Sequence, residues 1–223
     1  MNHGFVKVAA AVPNVQVADC FYNITQIEKL MRKAADKGVQ IMAFPELSVT
    51  GYTCLDLFQQ DLLLNSAETA LLQLAENTAD LPLLAFVGAP LRTDNKLINA
   101  AIAIQEGKIL GVVPKTYLPN YKEFQEKRWF TSSNDLDNDF IEIGDRFYPL
   151  QKQMIIIADE VAVGVEICED LWMPVPPSSE LAMLGANIIV NLSASNELIG
   201  KHAYRKQLVA QQSARCVCGY VYA

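Results

Sequence analysis

The sequence predicts an α/β fold, with one mixed sheet or two sheets packed together. Two observations lead there. Short apolar runs rich in Val, Ile and Ala alternate with segments whose apolar residues recur at helical spacing. Paired runs around tight turns interrupt that alternation, so the sheet is not purely parallel. With 223 residues, 51% of them hydrophobic, the chain can bury one substantial core as a single domain or two small ones.

Taken in order, Phe5–Val12 reads as a buried strand stopped by Pro13. Ile24, Ile27, Leu30, Met31, Ala34 and Ala35 share one helical face, and Gly38 is a natural C-cap. Ile41–Phe44 is a short strand ending at Pro45-Glu46. Residues near 66–78 read as a helix and Leu83–Val87 as a strand. Leu97–Ile104 and Ile109–Val113 form a hairpin about Glu106-Gly107. Residues 114–140, rich in Pro, Asn and aromatics, form a long ordered loop. Met154–Ala158 and Val161–Ile167 pair about Asp159-Glu160. A short helix Ser178–Leu184, a strand Asn187–Leu192 and a helix 201–216 follow, and Gly219 opens a last apolar segment. Tyr220–Ala223 reads as a strand with no capping element after it, so the expectation is a fragment of a longer chain.

Composition narrows the function. The net charge of −7 and pI near 4.9 disfavour nucleic acid and anionic membranes, which reward a basic face. The five cysteines are odd in number and include no Cys-x-x-Cys pair, and only His3 and His202 could add imidazole ligands. That disfavours a disulfide framework and a metal site. No apolar stretch approaches the ~20 residues of a membrane span, and Phe5–Val12 is too short for a signal peptide and is broken by Lys7. A cytoplasmic setting is the simplest expectation.

Three residues carry the chemistry. Glu46, Lys115 and Cys168 each follow the C-terminal end of an expected strand, the edge where α/β folds gather ligands. Together they suit acyl transfer: a carboxylate takes the thiol proton, the thiolate attacks a carbonyl, and an ammonium steadies the oxyanion. Each also has a bland reading: a solvated or capping carboxylate, a surface lysine, and a cysteine that is only a small hydrophobe. Glu166, Glu169 and Asp170 would raise the thiol pKa unless a cation is near, and Lys115 would be that cation.

Five segments in order carry a resemblance over nearly the whole chain. They are Phe44-Pro45-Glu46-Leu47-Ser48-Val49-Thr50-Gly51-Tyr52, Lys115-Thr116-Tyr117-Leu118-Pro119-Asn120-Tyr121, Glu126-Lys127-Arg128-Trp129-Phe130, Gly164-Val165-Glu166-Ile167-Cys168-Glu169-Asp170-Leu171-Trp172 and Asn191-Leu192-Ser193-Ala194-Ser195-Asn196-Glu197. They resemble the signature blocks of the nitrilase (carbon–nitrogen hydrolase) superfamily, and more narrowly the glutaminase domains of glutamine-dependent NAD synthetases. The resemblance implies an αββα sandwich of two mixed sheets with helices outside. It implies Glu46 as general base, Cys168 as nucleophile, Lys115 with the backbone N–H of Glu169 on the tetrahedral intermediate, and Glu126 as a second glutamate beside the lysine. Lys115, between two carboxylates, would stay charged and favour the thiolate.

Glutamine is the substrate by resemblance alone. Tyr121, Ser195 and Lys201 resemble positions that meet it. Ser195 also reads as a turn or N-cap serine, and Lys201 as a solvated helix start. Tyr117, Trp129, Phe130 and Trp172 are expected to wall the pocket. The implied layout makes residues 1–223 a hydrolase domain that stops before the last strands of its sandwich. An ATP-dependent synthetase domain, using ATP, Mg and deamido-NAD, is absent. No Gly-x-x-x-x-Gly-Lys-Ser/Thr or Gly-x-Gly-x-x-Gly run occurs here, so no cofactor is expected on this chain. Homo-oligomers are inherited from the family. The rival readings are another nitrilase-type amidase acting on an ω-amide, carbamoyl or nitrile group, and a non-catalytic assembly module.

Overall fold

The computed structural model describes residues 4–158 and 160–223; His3 and Asp159, named above, lie outside the described residues. The first sheet uses the first half of the chain. Strand β1 (Val8–Ala10) pairs in parallel with β2 (Ile41–Ala43), and helix α1 (Cys20–Ala35) crosses between them. Helix α2 (Asp61–Asn77) leads to β3 (Leu84–Thr93), parallel to β2. Strands β4 (Lys96–Gln105) and β5 (Lys108–Pro114) complete an antiparallel meander, giving the order β1-β2-β3-β4-β5. After a loop with two short 3-10 turns comes a hairpin of β6 (Phe140–Ile143) and β7 (Arg146–Pro149).

The second sheet has the order β11-β10-β9-β8. Strand β8 (Ile155–Ala158) runs antiparallel to β9 (Val161–Ile167). Strands β10 (Ile188–Leu192) and β11 (Gly219–Tyr222) add in parallel through α3 (Pro177–Met183) and α4 (Lys201–Cys216).

Strand alternation sorts the side chains into layers, because successive residues face opposite sides of a sheet. Ile41, Ala43, Leu84, Phe86, Ala101 and Ala103 of the first sheet meet Val163, Val165, Ile167, Val190 and Leu192 of the second. Their neighbours Met42, Ala85, Val87 and Ile102 face the other way and pack under α1 and α2. On the far side, Ile189 meets Leu181 of α3. The result is the expected αββα sandwich. Helix α1 follows its predicted stripe, and the Asp19 carboxylate accepts from the Tyr22 N–H at 3.1 Å to cap it.

Four expectations need correction. Strand β1 is a short edge strand, not a buried one: Phe5 and Val12 are 79% and 76% exposed because β2 covers only one side. Helix α2 starts at Asp61, where Leu63, Leu64 and Ala67 extend its buried stripe. Strand β3 continues to Thr93 through Gly88-Ala89-Pro90, which look like breakers. Its ladder with β2 ends at Phe86; the Gly88 carbonyl beyond it still accepts from the Val49 N–H at 3.0 Å, and Pro90 lies past that contact, where this side of β3 has no partner strand and a proline costs no ladder bond. Asp36, not Gly38, is the cap of α1; Gly38, at φ 70°, closes the turn beyond it.

Candidate active site

Three strand ends deliver the three expected side chains. Glu46 lies in the turn after β2, against the backbone of β3 at Gly88. A Cβ on Gly88 would sit 2.3 Å from the Leu47 nitrogen and 2.8 Å from the Pro45 oxygen, so only glycine lets that turn settle there. Lys115 follows β5 directly, tied by its own N–H to the Asn99 carbonyl at 2.8 Å. Cys168 follows β9 directly at φ 47°, a left-handed conformation that costs a non-glycine residue about 1–2 kcal/mol.

The lysine is the hub. Its Nζ donates to Glu46 Oε1 at 2.6 Å and to Glu126 Oε1 at 2.7 Å, with its side chain fully buried. Glu46 Oε1 also accepts from Asn99 Nδ2 at 2.7 Å, and Oε2 accepts from the Ala194 N–H at 3.0 Å. Tyr52 Oη donates to Glu126 Oε1 at 2.7 Å. Burial works against the Lys115 ammonium, but Glu46 and Glu126 together outweigh it and hold its pKa above the ordinary range. Burial, then Glu46, pushes the Glu126 carboxyl up to about 7, while Lys115 pulls it back.

Cys168 departs from expectation. Lys115 and the Ala194 N–H do favour its thiolate, but burial and then Glu46 weigh more and hold the thiol above its ordinary value. With two carboxylates against one ammonium, the lysine field does not win. Burial and Glu46 thus favour the protonated thiol over the thiolate.

Further residues hold these pieces in register. The buried Asp170 carboxylate accepts from the Thr116 and Tyr117 N–H groups at 3.2 and 2.8 Å, and from the Ile167 N–H at 2.9 Å. It therefore ties the segment after Lys115 to the segment before Cys168; burial pushes its pKa up to about 8. The Cys168 N–H donates to Asn191 Oδ1 at 3.2 Å. Tyr222, at the end of β11, is a neighbour of the thiol: burial, then Cys168, pushes its hydroxyl up to about 12. Asn99, Asp170, Asn191, Tyr222 and the Ala194 N–H escaped sequence reasoning as site groups. Their signal was weak, since polar residues at strand ends also make ordinary turns.

The expected substrate contacts divide. Tyr121 Oη donates to the Glu169 carboxylate at 2.9 and 3.0 Å, so both stand beside the cysteine. Lys201 begins α4 with its Nζ 5.0 Å from the Trp172 ring, and donates to Asn196 Oδ1. Trp172 stacks on Tyr204 at 5.6 Å. Half-buried Ser195 receives a bond from Arg205 Nη1 at 3.4 Å, and Arg205 also pairs with Glu197 at 2.6 Å. Arg205 was not foreseen. Phe130 packs on Phe58 in the core and, with Tyr117 and Thr116, lines a cavity that Glu46, Lys115 and Cys168 do not line; Trp129 packs on Phe58 as well, and its Nε1 donates to Asp56 at 2.9 Å.

The family model described as carbon-nitrogen hydrolase matches residues 7–223. A glutamine-dependent NAD(+) synthetase of Mycobacterium leprae is 40% identical over 225 residues, covering 100% of this chain and 33% of its own length. One of Thermotoga maritima is 32% identical over 209 residues, covering 93% of this chain and 33% of its own. The crystal structure of a glutamine-dependent NAD(+) synthetase from Cytophaga hutchinsonii matches with a TM-score of 0.87 at 29% identity, over 98% of this chain and 35% of that one. This chain thus spans about a third of the length of the curated relatives it matches.

Proposed function

The chain belongs to the carbon–nitrogen hydrolase family, and on that premise we propose that residues 1–223 form the glutamine-hydrolysing domain of a glutamine-dependent NAD synthetase. One observation carries the reading. A fully buried lysine bridges two carboxylates at 2.6 and 2.7 Å, beside a cysteine held in a left-handed turn. Such a cluster is costly to build and suits acyl transfer.

The family resemblance and the arrangement of these groups support the following roles. Glu46 accepts the Cys168 proton as the sulfur attacks the side-chain carbonyl carbon of glutamine. Lys115 Nζ and the Glu169 N–H stabilise the oxyanion. Collapse of the intermediate breaks the C–N bond, and Glu46 returns its proton to the leaving ammonia. Glu46 then deprotonates water, which attacks the glutamyl thioester, releasing glutamate and the thiol. Glu126 holds Lys115 from the side opposite Glu46. Tyr121, Glu169, Ser195 and Lys201 hold the glutamine backbone groups.

ATP, Mg and deamido-NAD belong, on this reading, to a synthetase domain outside this chain. Glu46 and Glu126 are the densest acidic pair of the site, and Lys115 already lies between them, so these residues fit an ammonium and not a divalent cation. The synthetase domain is the partner that consumes the ammonia. Self-association is carried over from the family resemblance. Five free cysteines suit a reducing cytoplasm.

The test is glutamate release from glutamine by this chain, beside Cys168→Ala and a longer chain extending past Ala223. Release that disappears in Cys168→Ala supports the assignment. Hydrolysis of other amides with none of glutamine, in both lengths, would move the protein to another branch of the family.

A further inference from the structure

Behind the cysteine lies a buried polar cluster for which the mechanism above has no use. Glu166 sits on β9 two residues before Cys168, facing away from the gap between the sheets, and is only 1% exposed. Its Oε2 accepts from the Ser178 N–H at 2.8 Å, and its Oε1 accepts from Tyr220 Oη. Asn191, fully buried on β10, bridges this cluster to the site. Its Nδ2 donates to Tyr220 Oη at 3.1 Å and to Glu166 Oε1 at 3.5 Å. Its Oδ1 accepts from the Cys168 N–H at 3.2 Å and from Ser193 Oγ at 2.7 Å.

We propose that Asn191 is a positioning residue that holds the nucleophile's left-handed turn, with Glu166 and Tyr220 fixing which way its amide points. A carboxylate only accepts, so the NH2 end of Asn191 must face Glu166. The carbonyl end must then face the Cys168 N–H. Turned over, the amide would set donor against donor at Cys168 and acceptor against acceptor at Glu166. Three residues along, the Ala194 N–H holds Glu46 Oε2 at 3.0 Å. The end of β10 therefore registers the nucleophile and the base at once. A buried carboxylate is expensive, and here its partners transmit orientation to the reacting sulfur.

This inference rests on Cys168 being the nucleophile, so its readout is alkylation of Cys168 by iodoacetamide, which needs no glutamine. Asn191→Asp keeps the shape and the acceptor but sets a second carboxylate against Glu166. The other titratable groups around Glu166 are Tyr220, Cys218 before β11, and Asp170. Tyr220 and Cys218 stay neutral below pH 8, and expressing each rate relative to wild type at the same pH divides out Asp170. The expected relative rate falls roughly 10- to 100-fold at about pH 8, the range for losing a hydrogen bond to a charged group. It recovers toward about pH 5.5 as the carboxylate pair binds a proton.

Glu166→Gln with Asn191→Asp exchanges donor and acceptor, and restores the rate to within about threefold with no pH dependence. Should Asn191→Asp not fold, Asn191→Ala removes the acceptor of the Cys168 N–H without adding a charge and gives a folded protein that alkylates slowly at every pH. A wild-type rate in either single variant at every pH, or a double variant no better than the product of the singles, overturns the proposal. Lack of glutaminase activity in wild type with this alkylation pattern intact would instead fault only the substrate assignment.

Discussion

Replacing Gly88 by Ala should disable the site through one methyl group. The new Cβ would lie 2.3 Å from the Leu47 nitrogen, 2.8 Å from the Pro45 oxygen and 2.9 Å from the Glu46 carbonyl carbon, whereas ordinary contact begins at 3.4 Å. The Glu46 turn must therefore retreat by roughly 1 Å, the shift that restores contact distance. Glu46 Oε1 now lies 2.6 Å from Lys115 Nζ and 2.7 Å from Asn99 Nδ2; the same retreat carries both beyond hydrogen-bonding range. Overpacking of this kind costs about 1–3 kcal/mol. At about 2–4 °C per kcal/mol for a chain of this size, Tm should fall by about 2–12 °C. Misplacing a reacting group by about 1 Å should lower kcat by about 100-fold. The control is Gly164→Ala, whose Cβ would meet first the Ile189 and Leu181 side chains, at 3.1 Å. It should cost stability while sparing most of kcat. Glutamate release and thermal melts read both effects. Gly88→Ala with kcat within about threefold of wild type, or equal activity losses in the two variants, would refute the reasoning.

Two further outcomes follow from the same geometry. Burial and Glu46 hold the Cys168 thiol above its ordinary 9.0, so alkylation of the free protein should keep rising past pH 9; Glu46→Gln should lower the midpoint and Lys115→Met should raise it. The sign for stability is that a thiol pKa raised by folding favours the native state below 9.0 and loses that contribution as pH climbs through the folded value. A plateau below pH 9 would contradict both statements. Asp170→Ala strips the acceptor from three backbone N–H groups, the Thr116 and Ile167 ones buried and the Tyr117 one partly so; each buried one is worth about 1–3 kcal/mol when left unpaired. Its melt should fall further than that of Gly164→Ala, with kcat reduced as the Lys115 and Cys168 segments uncouple. A melting temperature close to wild type would show that Asp170 does not staple them.

The sequence made the positions of the three candidate groups legible because each stands where an apolar run ends. Val161–Ile167 could only be a buried strand, so Cys168 had to emerge at its edge. Lys115 after Ile109–Pro114 and Glu46 after Ile41–Ala43 follow the same logic. The groups that orient them were harder to read. Asp170 looked like a charge that would burden the thiol, but both its oxygens serve backbone N–H groups. Asn99 and Asn191 face the site only through strand register, which the pairing of distant segments decides. Gly88 read as the end of β3 because its purpose, admitting the Glu46 turn, lies in another segment. The hairpin β6–β7 was missed because two four-residue strands give too little periodicity to detect. Phe130 serves both core and cavity wall, since one edge of a large ring can pack inward while another borders open space.

Glu46 and Lys115 are anchored in one sheet, while Cys168 and the Ala194 N–H are anchored in the other. No single secondary-structure element contains the reaction centre; it spans the seam of the sandwich. The width of that seam is set by what lies between the sheets, including the small Ala43, Ala101 and Ala103 opposite Val163, Val165 and Val190. On the proposed function, turnover would act as a caliper for the gap. A methyl group added at one of these alanines would register as lost hydrolysis while the protein still melted as a folded domain.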